Sequence, residues 1–278
     1  MKSKYVRADL HSHVRTTNRF KEEDFNKIVD AVHKNMGGSG IIGLVNVGIQ
    51  SAWNYERIIG FRGYERKNLG NAVYVFEKDV LIVKTQQVPT KQGHYLVVGI
   101  PEGKKLEQYR TLEDSLKEAK DLNAIVLTWP MFRFQGIGAF LQKHQNLLTE
   151  FDGITIHNGQ SETYLPFLTP RDSNKQAQEF YDCVKKEYPL LAQIVVSDGH
   201  SFGEIGSSWM EIPRPDIKTD QTLISSLKEN LKNPIRFKKG KSHFGALKHT
   251  AKLFLITVLN KRGIEVDDKK YLEFPKGK

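Results

Sequence analysis

The chain has 278 residues, 39% hydrophobic and 27% charged, with 42 Lys or Arg against 32 Asp or Glu and one cysteine. That length can bury one sizeable core with an appendage, while a lone Cys183 excludes an intrachain disulfide framework and a thiolate metal cluster. The longest notable apolar run, Leu253 to Leu259, falls far short of the ~20 residues of a membrane span, and Met1-Lys2-Ser3-Lys4 leads into a strand pattern rather than an apolar signal segment, so a cytoplasmic protein is expected.

Tyr5 to Leu10 reads as the first strand. Glu22 to Asn35 places Phe25, Ile28, Val29 and Val32 at helical spacing, with acidic residues in the first turn, where the helix dipole favours them. Ile41 to Val47 reads as a buried strand, Ala72 to Phe76 and Val80 to Gln87 as two β-rich runs able to form a hairpin, and His94 to Ile100 as a further strand. Thr111 caps a predicted helix that runs through Asn123, with Asp114 at the capping-box position. A strand over Ala124 to Thr128, a helix near Ile137 to Leu148, a strand over Gly153 to His157, a helix over Arg171 to Lys186 and a strand over Leu191 to Ser197 follow. Repeated alternation of strand and helix predicts an α/β fold with a largely parallel sheet.

Charge is unevenly spread. Residues 228–278 hold 14 Lys or Arg against 5 Asp or Glu, and the other 227 residues hold 28 against 27. The shift follows Pro213-Arg214-Pro215 and divides the chain into a near-neutral unit over 1–215 and a basic, helical extension over 216–278. Within the extension a helix is expected from Thr219 or Asp220 to Leu231. Four cations are packed between Arg236 and Lys241, and a second helix is expected over Phe244 to Arg262. Such a segment suits nucleic-acid phosphates, an anionic membrane surface, or simply a solvated face, which is the commonest fate of a charge run.

Two short motifs carry the chemistry. His11-Ser12-His13 follows the first strand, and alternate residues of an extended segment point the same way, so both imidazoles can meet one ion. Ser197-Asp198-Gly199-His200 follows the apolar run Leu191 to Val196. Either pair alone is compatible with ordinary histidines bonded to backbone, but two ligand pairs at strand ends suggest one metal site.

Asp9-Leu10-His11-Ser12-His13 and Ser197-Asp198-Gly199-His200 resemble the first and last motifs of the PHP (polymerase and histidinol phosphatase) family. Between them, Phe151-Asp152-Gly153-Ile154 with Asn158-Gly159 is similar to the family's late strand, and Thr128-Trp129-Pro130 stands where the family has a His-Pro pair. The resemblance spans roughly residues 5 to 212. It implies a distorted, TIM-like (β/α)7 barrel of PHP type with a metal centre at the C-terminal ends of the strands. His11, His13, Asp198 and His200 match their motif positions, and His94 matches another ligand position. Elsewhere the ligands implied by the resemblance are replaced: Asn18 follows the first pair, Asn46-Val47-Gly48 ends the second strand, Trp129 precedes the proline, and the bridging glutamate falls on Gln86 or, better, Gln87.

Each replacement puts an amide, a glycine or an indole where a strong cation ligand is implied. Without a bridging carboxylate, adjacent cations cannot be held together, so a single divalent ion, Zn, Mn or Fe, is expected on His11, His13 and Asp198, with the Gln87 amide oxygen as a weak fourth ligand. Asp9 is expected to orient a ligating histidine. The implied activity is that of a metal-dependent phosphoesterase acting on a phosphate monoester or a nucleic-acid phosphodiester. His200 or His94 would act as general acid, and Arg133 or Arg15 would clamp the phosphate unless they are solvated surface charges. Trp129 is expected to pack at the barrel mouth or stack on a base or sugar, and His157 and His33 to be structural or exposed. The alternative is a catalytically silent barrel serving as a nucleic-acid-binding or regulatory module. The expected partners are thus a phosphorylated small molecule or nucleic acid, and the chain has no coiled-coil heptad that would speak to oligomeric state.

Overall fold

The computed structural model describes residues 3–13, 20–47, 54–133, 135–162 and 172–241. In chain order its first elements are β1 (Tyr5–Ser12), α1 (Glu22–Asn35), β2 (Gly40–Val47), α2 (Asn54–Gly60), β3 (Arg66–Asn68), β4 (Ala72–Val75), β5 (Val80–Pro89) and β6 (His94–Val98). There follow α3 (Leu112–Asp121), β7 (Ile125–Thr128), α4 (Gly138–Lys143), β8 (Gly153–Asn158), α5 (Ser173–Val184), β9 (Ala192–Val196), β10 (Trp209–Pro213), α6 (Asp220–Leu231) and β11 (Arg236–Lys238).

The helices begin where their caps dictate. In α1 the Asp24 carboxylate accepts the Lys21 N–H at 3.1 Å, and Phe25, Ile28, Val29 and Val32 form the buried stripe. In α3 the Thr111 hydroxyl accepts the Asp114 N–H at 3.2 Å. The expected helix near Ile137 to Leu148 is split: α4 ends at His144, whose φ of −129° and ψ of 55° leave the helical region, and a 3-10 turn over Gln145–Glu150 leads into β8.

Seven strands form a nearly closed barrel in the order β1-β2-β5-β6-β7-β8-β9. Closure runs from β9 back to β1 through backbone bonds just past the strand ends. The Asp198 N–H donates to the His11 carbonyl at 3.0 Å, the His13 N–H donates to the Gly199 carbonyl at 2.8 Å, and Ser12 bridges Gly199 in parallel. All the barrel strands run one way except β6, which pairs antiparallel with both β5 and β7. The strict strand-helix alternation that a (β/α)7 barrel implies is broken there, because β5 and β6 are joined by a tight turn in which the Thr90 N–H donates to the Gly93 carbonyl at 2.9 Å. A short connection can only reverse the chain. The expected hairpin of β4 and β5 is present, and β5 is buried along its whole length.

Alternation along β2 separates two cores. Ile41 and Val45 pack inside the barrel with Val6, Ala8 and Leu10 of β1, whereas Ile42 and Leu44 pack outward under α1 and α2. Gly43 lets β1 and β2 approach: a Cβ there would lie 2.1 Å from the Leu10 carbonyl oxygen. The other end of the barrel is sealed by α6, whose Leu223, Ile224, Leu227 and Leu231 belong to the barrel's own core. Gly99, with φ of +83°, makes room for it, since a Cβ would meet Ile224 Cδ1 at 2.1 Å. β10 pairs antiparallel with the first half of β1, and β11 pairs with β10. The change of composition at Pro215 is therefore not a change of packing, because residues 220–238 complete the barrel. The expected helix over Phe244 to Arg262 lies outside the described residues, as do Arg15 and Asn18. No helix among the described residues is long and apolar enough to cross a membrane.

Candidate metal centre

At the barrel mouth two strands carry a bulge. Between Asp9 and Ser12 the register of β1 against β2 slips by one residue, and β8 slips against β9 between Thr155 and His157. Bulges re-aim side chains and are common at barrel rims. Strict alternation would put His11 on the side of Arg7 and Asp9, opposite the inward series Val6, Ala8 and Leu10. The extra residue turns His11 and His13 over the mouth, where they meet Asp198. Asp198 itself takes the left-handed conformation, with φ of +52°, which aspartate tolerates better than most residues.

His11 Nε2 and His13 Nε2 lie 2.9 Å apart, and Asp198 Oδ1 lies 3.5 Å from the first and 3.4 Å from the second. A tetrahedral ion with bonds of ~2.05 Å spaces its ligand atoms about 3.3 Å apart. The point equidistant from the three atoms found here lies about 1.9 Å from each, close to the ~2.0–2.2 Å of such bonds. The two carboxylate oxygens are used differently. Oδ2 accepts from Asn158 Nδ2 at 3.0 Å and Arg133 Nη1 at 3.2 Å, while Oδ1 is buried with no hydrogen-bond partner among the described residues. An orphaned anionic oxygen beside two imidazole nitrogens is the donor set of a divalent ion, so these residues fit one. Among the described residues this is the group of three His, Cys, Asp or Glu side chains whose ligand atoms converge, all within 4.8 Å.

Electrostatics favour the ligand form of Asp198 and His11. Burial pushes the Asp198 carboxyl up, but His11, His13, His200 and Arg133 around it hold it well below the usual carboxylate range. Burial lowers the His11 imidazole, so the ring is neutral with a lone pair to give.

Around this triad the expected residues take different places. His200 stacks on His13 with ring centres 4.8 Å apart, and its Nδ1 lies 2.9 Å from the Asp198 carbonyl. A carbonyl only accepts, so Nδ1 carries a hydrogen. Arg133 is buried rather than a solvated surface charge; besides Asp198 it bonds Gln160 Oε1. Gln87 bonds His94 Nδ1 through its amide nitrogen at 2.7 Å, whereas Gln86 both donates to and accepts from the Leu106 backbone, so Gln87 is the one of the two at the mouth. His94 stands apart from the triad. Its ring is 5.3 Å from that of Trp129, which lies under the Arg133 guanidinium at 5.4 Å, and burial lowers its imidazole to about 4. At neutral pH it is uncharged, which removes the imidazolium expected of a general acid.

Asp9 accepts from the His11 backbone N–H and, among the described residues, bonds no imidazole ring. It accepts from Ser197 N–H at 3.0 Å, Gly206 N–H at 3.1 Å and the Ser197 hydroxyl, and so fixes the loop that presents Asp198. His157 is buried and bonds the Gly240 carbonyl through Nε2 at 3.0 Å, and His33 bonds the Lys78 carbonyl at 2.9 Å. Sequence reasoning missed Gln160 and gave Asn158 no role. Their only signal was position, just past the end of a buried strand, where barrel chemistry gathers.

No family model matches the chain, and no curated protein matches it in sequence. Among solved structures it is similar to the lesion-specific endonuclease PfuEndoQ from Pyrococcus furiosus, with 13% identity and a TM-score of 0.52 over 84% of this chain and 57% of that one. It is similar also to Endonuclease Q in complex with a 27-mer duplex carrying an abasic lesion at the active site, with 13% identity and a TM-score of 0.54 over 84% and 58%. PsfC from Pseudomonas syringae matches with 12% identity and a TM-score of 0.55 over 92% of this chain and 100% of its own. The chain thus spans less than three fifths of the length of the endonuclease Q chains and shares with them, and with PsfC, a mixed α/β barrel-like fold.

Proposed function

We propose that the chain is a metal-dependent phosphoesterase that holds one divalent ion, Zn, Mn or Fe, on His11, His13 and Asp198, and hydrolyses a phosphate monoester or a nucleic-acid phosphodiester. The observation that carries the proposal is the orphaned Asp198 Oδ1, set 3.4 and 3.5 Å from two imidazole nitrogens. Gln87, at the mouth end of β5, has its amide nitrogen committed to His94, so its oxygen is the atom it offers as a further neutral ligand. When bound, such an ion supplies Lewis acidity to water and to a phosphoryl oxygen.

The remaining work falls to side chains. Arg133, anchored on Asp198 and Gln160, fixes the phosphoryl group by charge and hydrogen bonding. His200 Nε2 takes a proton from the attacking water and, once protonated, returns it to the leaving oxygen; Nδ1, tied to the Asp198 carbonyl, sets the ring's angle. Asn158 keeps Asp198 turned so that Oδ1 faces the histidines. The nucleic-acid arm of the proposal is supported by the fold shared with endonuclease Q and by the basic segment after residue 228. His157 holds the Gly240 backbone beside the end of β8, and Lys239 and Lys241 flank that residue in sequence. On this reading residues 220–238 pack on the barrel and the basic residues that follow carry cations to the substrate.

One observation favours a different reading. Arg133 already balances the Asp198 charge, as it would in a catalytically silent barrel serving as a nucleic-acid-binding or regulatory module. Hydrolysis of 4-nitrophenyl phosphate, bis(4-nitrophenyl) phosphate and single- and double-stranded DNA, with added Zn or Mn, separates the two. The phosphoesterase reading expects turnover that His13→Ala abolishes. Turnover that survives His13→Ala places the chemistry elsewhere, and none on any ester favours the silent barrel.

A further inference from the structure

Three buried N–H groups at the mouth have no hydrogen-bond partner among the described residues: Trp129 Nε1, Arg133 Nε and Gln160 Nε2. They are neighbours. The Arg133 guanidinium lies 5.4 Å from the Trp129 ring centre, and Arg133 Nη1 bonds both Gln160 Oε1 and Asp198 Oδ2. Trp129, the Arg133 side chain and Gln160 are only 8%, 10% and 3% exposed. A buried donor left unmade costs about 1–3 kcal/mol, and native structures keep few of them. Three beside one carboxylate call for an acceptor that the chain does not supply.

The chemistry of that acceptor is narrow. All three orphans are donors and one belongs to a fixed cation, so the complement is anionic and presents several oxygens. Trp129 adds a specific sign, for it stands where the family resemblance implies a histidine. An imidazole lone pair can hold a cation, whereas an indole N–H can only donate. At that corner of the mouth Trp129 can therefore serve an anion and not a cation. A tetrahedral oxyanion has an oxygen to offer each donor.

We propose that Trp129, Arg133 and Gln160 form an oxyanion pocket that grips the phosphoryl group of the substrate through N–H donors, and that it binds this group without the metal ion. The proposal deepens the phosphoesterase reading and rests on it for the identity of the ligand. In the pocket the guanidinium supplies positive charge that a second metal ion would otherwise bring, which is how a single-ion site can handle a phosphate.

Isothermal titration of the full chain, stripped of metal with a chelator, tests this with inorganic phosphate and, separately, dimethyl phosphate. Inorganic phosphate is expected to bind to the metal-free chain. Trp129→Phe, which keeps a ring against His94 and removes only the donor, is expected to weaken binding about tenfold, as is Gln160→Leu, the size of one hydrogen bond to a charged group. Arg133→Lys keeps the charge but not the fork, and is expected to weaken binding at least as much. Binding of dimethyl phosphate as well would extend the pocket to diesters. No phosphate binding by the metal-free chain, or equal binding by Trp129→Phe and Gln160→Leu with native circular dichroism, overturns the pocket. Zinc titration of the same samples keeps the two claims apart: zinc bound without phosphate removes the pocket alone, and phosphate bound without zinc removes the metal-dependent reading alone.

Discussion

Arg133→Met separates the two cations that compete for Asp198. Arg133 and Asp198 form an ion pair at 3.2 Å, with side chains 10% and 2% exposed. Removing one partner of a buried pair costs about 3–5 kcal/mol, because the other charge is left uncompensated. At roughly 2–4 °C per kcal/mol for a domain of this size, the metal-free variant should melt on the order of 10 °C below the wild type. The effect on metal has the opposite sign. Two unit charges 4 Å apart interact by about 4 kcal/mol at an effective dielectric of 20, and a guanidinium on the same carboxylate repels an incoming divalent ion by an amount of that order. Realising only a third of it tightens metal binding about tenfold. Arg133→Met should therefore be less stable without metal, bind Zn or Mn more tightly, regain stability when metal is added, and lose hydrolysis. Differential scanning calorimetry with chelator and with a metal series reads the first three. Equal metal-free stability, or weaker metal binding in the variant, would refute the reasoning.

Two further outcomes follow from the same geometry. Burial lowers the His94 imidazole from 6.5 to about 4. Between those pH values the unfolded chain binds a proton that the folded chain does not, so stability is full above pH 6.5 and falls as pH drops toward 4, by about 2–3 kcal/mol at this site. His94→Asn, which keeps an acceptor for the Gln87 amide, should flatten that slope in urea titrations at pH 4.5 and 7; an unchanged slope would mean that other groups cause it. A chain cut after Pro215 should fail to fold. The cut removes Leu223, Ile224, Leu227 and Leu231 from the barrel core, and burial of about 1.5–3 kcal/mol each matches the whole ~5–15 kcal/mol net stability of a domain. A native circular dichroism spectrum from the shorter chain would contradict the packing of α6.

Much of this was legible in the sequence, for reasons particular residues show. α1 and α3 carry their stripes and caps in plain view, and the runs that become β2, β5, β7, β8 and β9 are apolar or β-rich enough to read as strands. His11, His13 and Asp198 could be paired because each follows such a run. The route by which they meet was not legible. Period-two spacing explains why the two histidines share a side, but only the bulge between Asp9 and Ser12 explains why that side is the mouth, and no residue type announces a bulge. Arg133 invited the reading of a surface charge because sequence does not reveal that a loop folds back over a carboxylate. Asp9 stabilises the Asp198 loop through Ser197 and Gly206, nearly two hundred residues away, as well as accepting from the backbone N–H of its neighbour His11. Composition put a boundary at Pro215, yet charge reports the surface of α6 and says nothing of Leu223 and Leu227 beneath it.

The claim that matters most is that His11, His13 and Asp198 hold a metal ion, and elemental analysis of tag-free protein purified without chelator tests it most directly. The account predicts about one divalent ion per chain, lost in the His11→Ala, Asp198→Ala double variant. Two or three ions would contradict the single-ion centre. No ion after reconstitution, or one ion that persists in the double variant, would contradict the site itself.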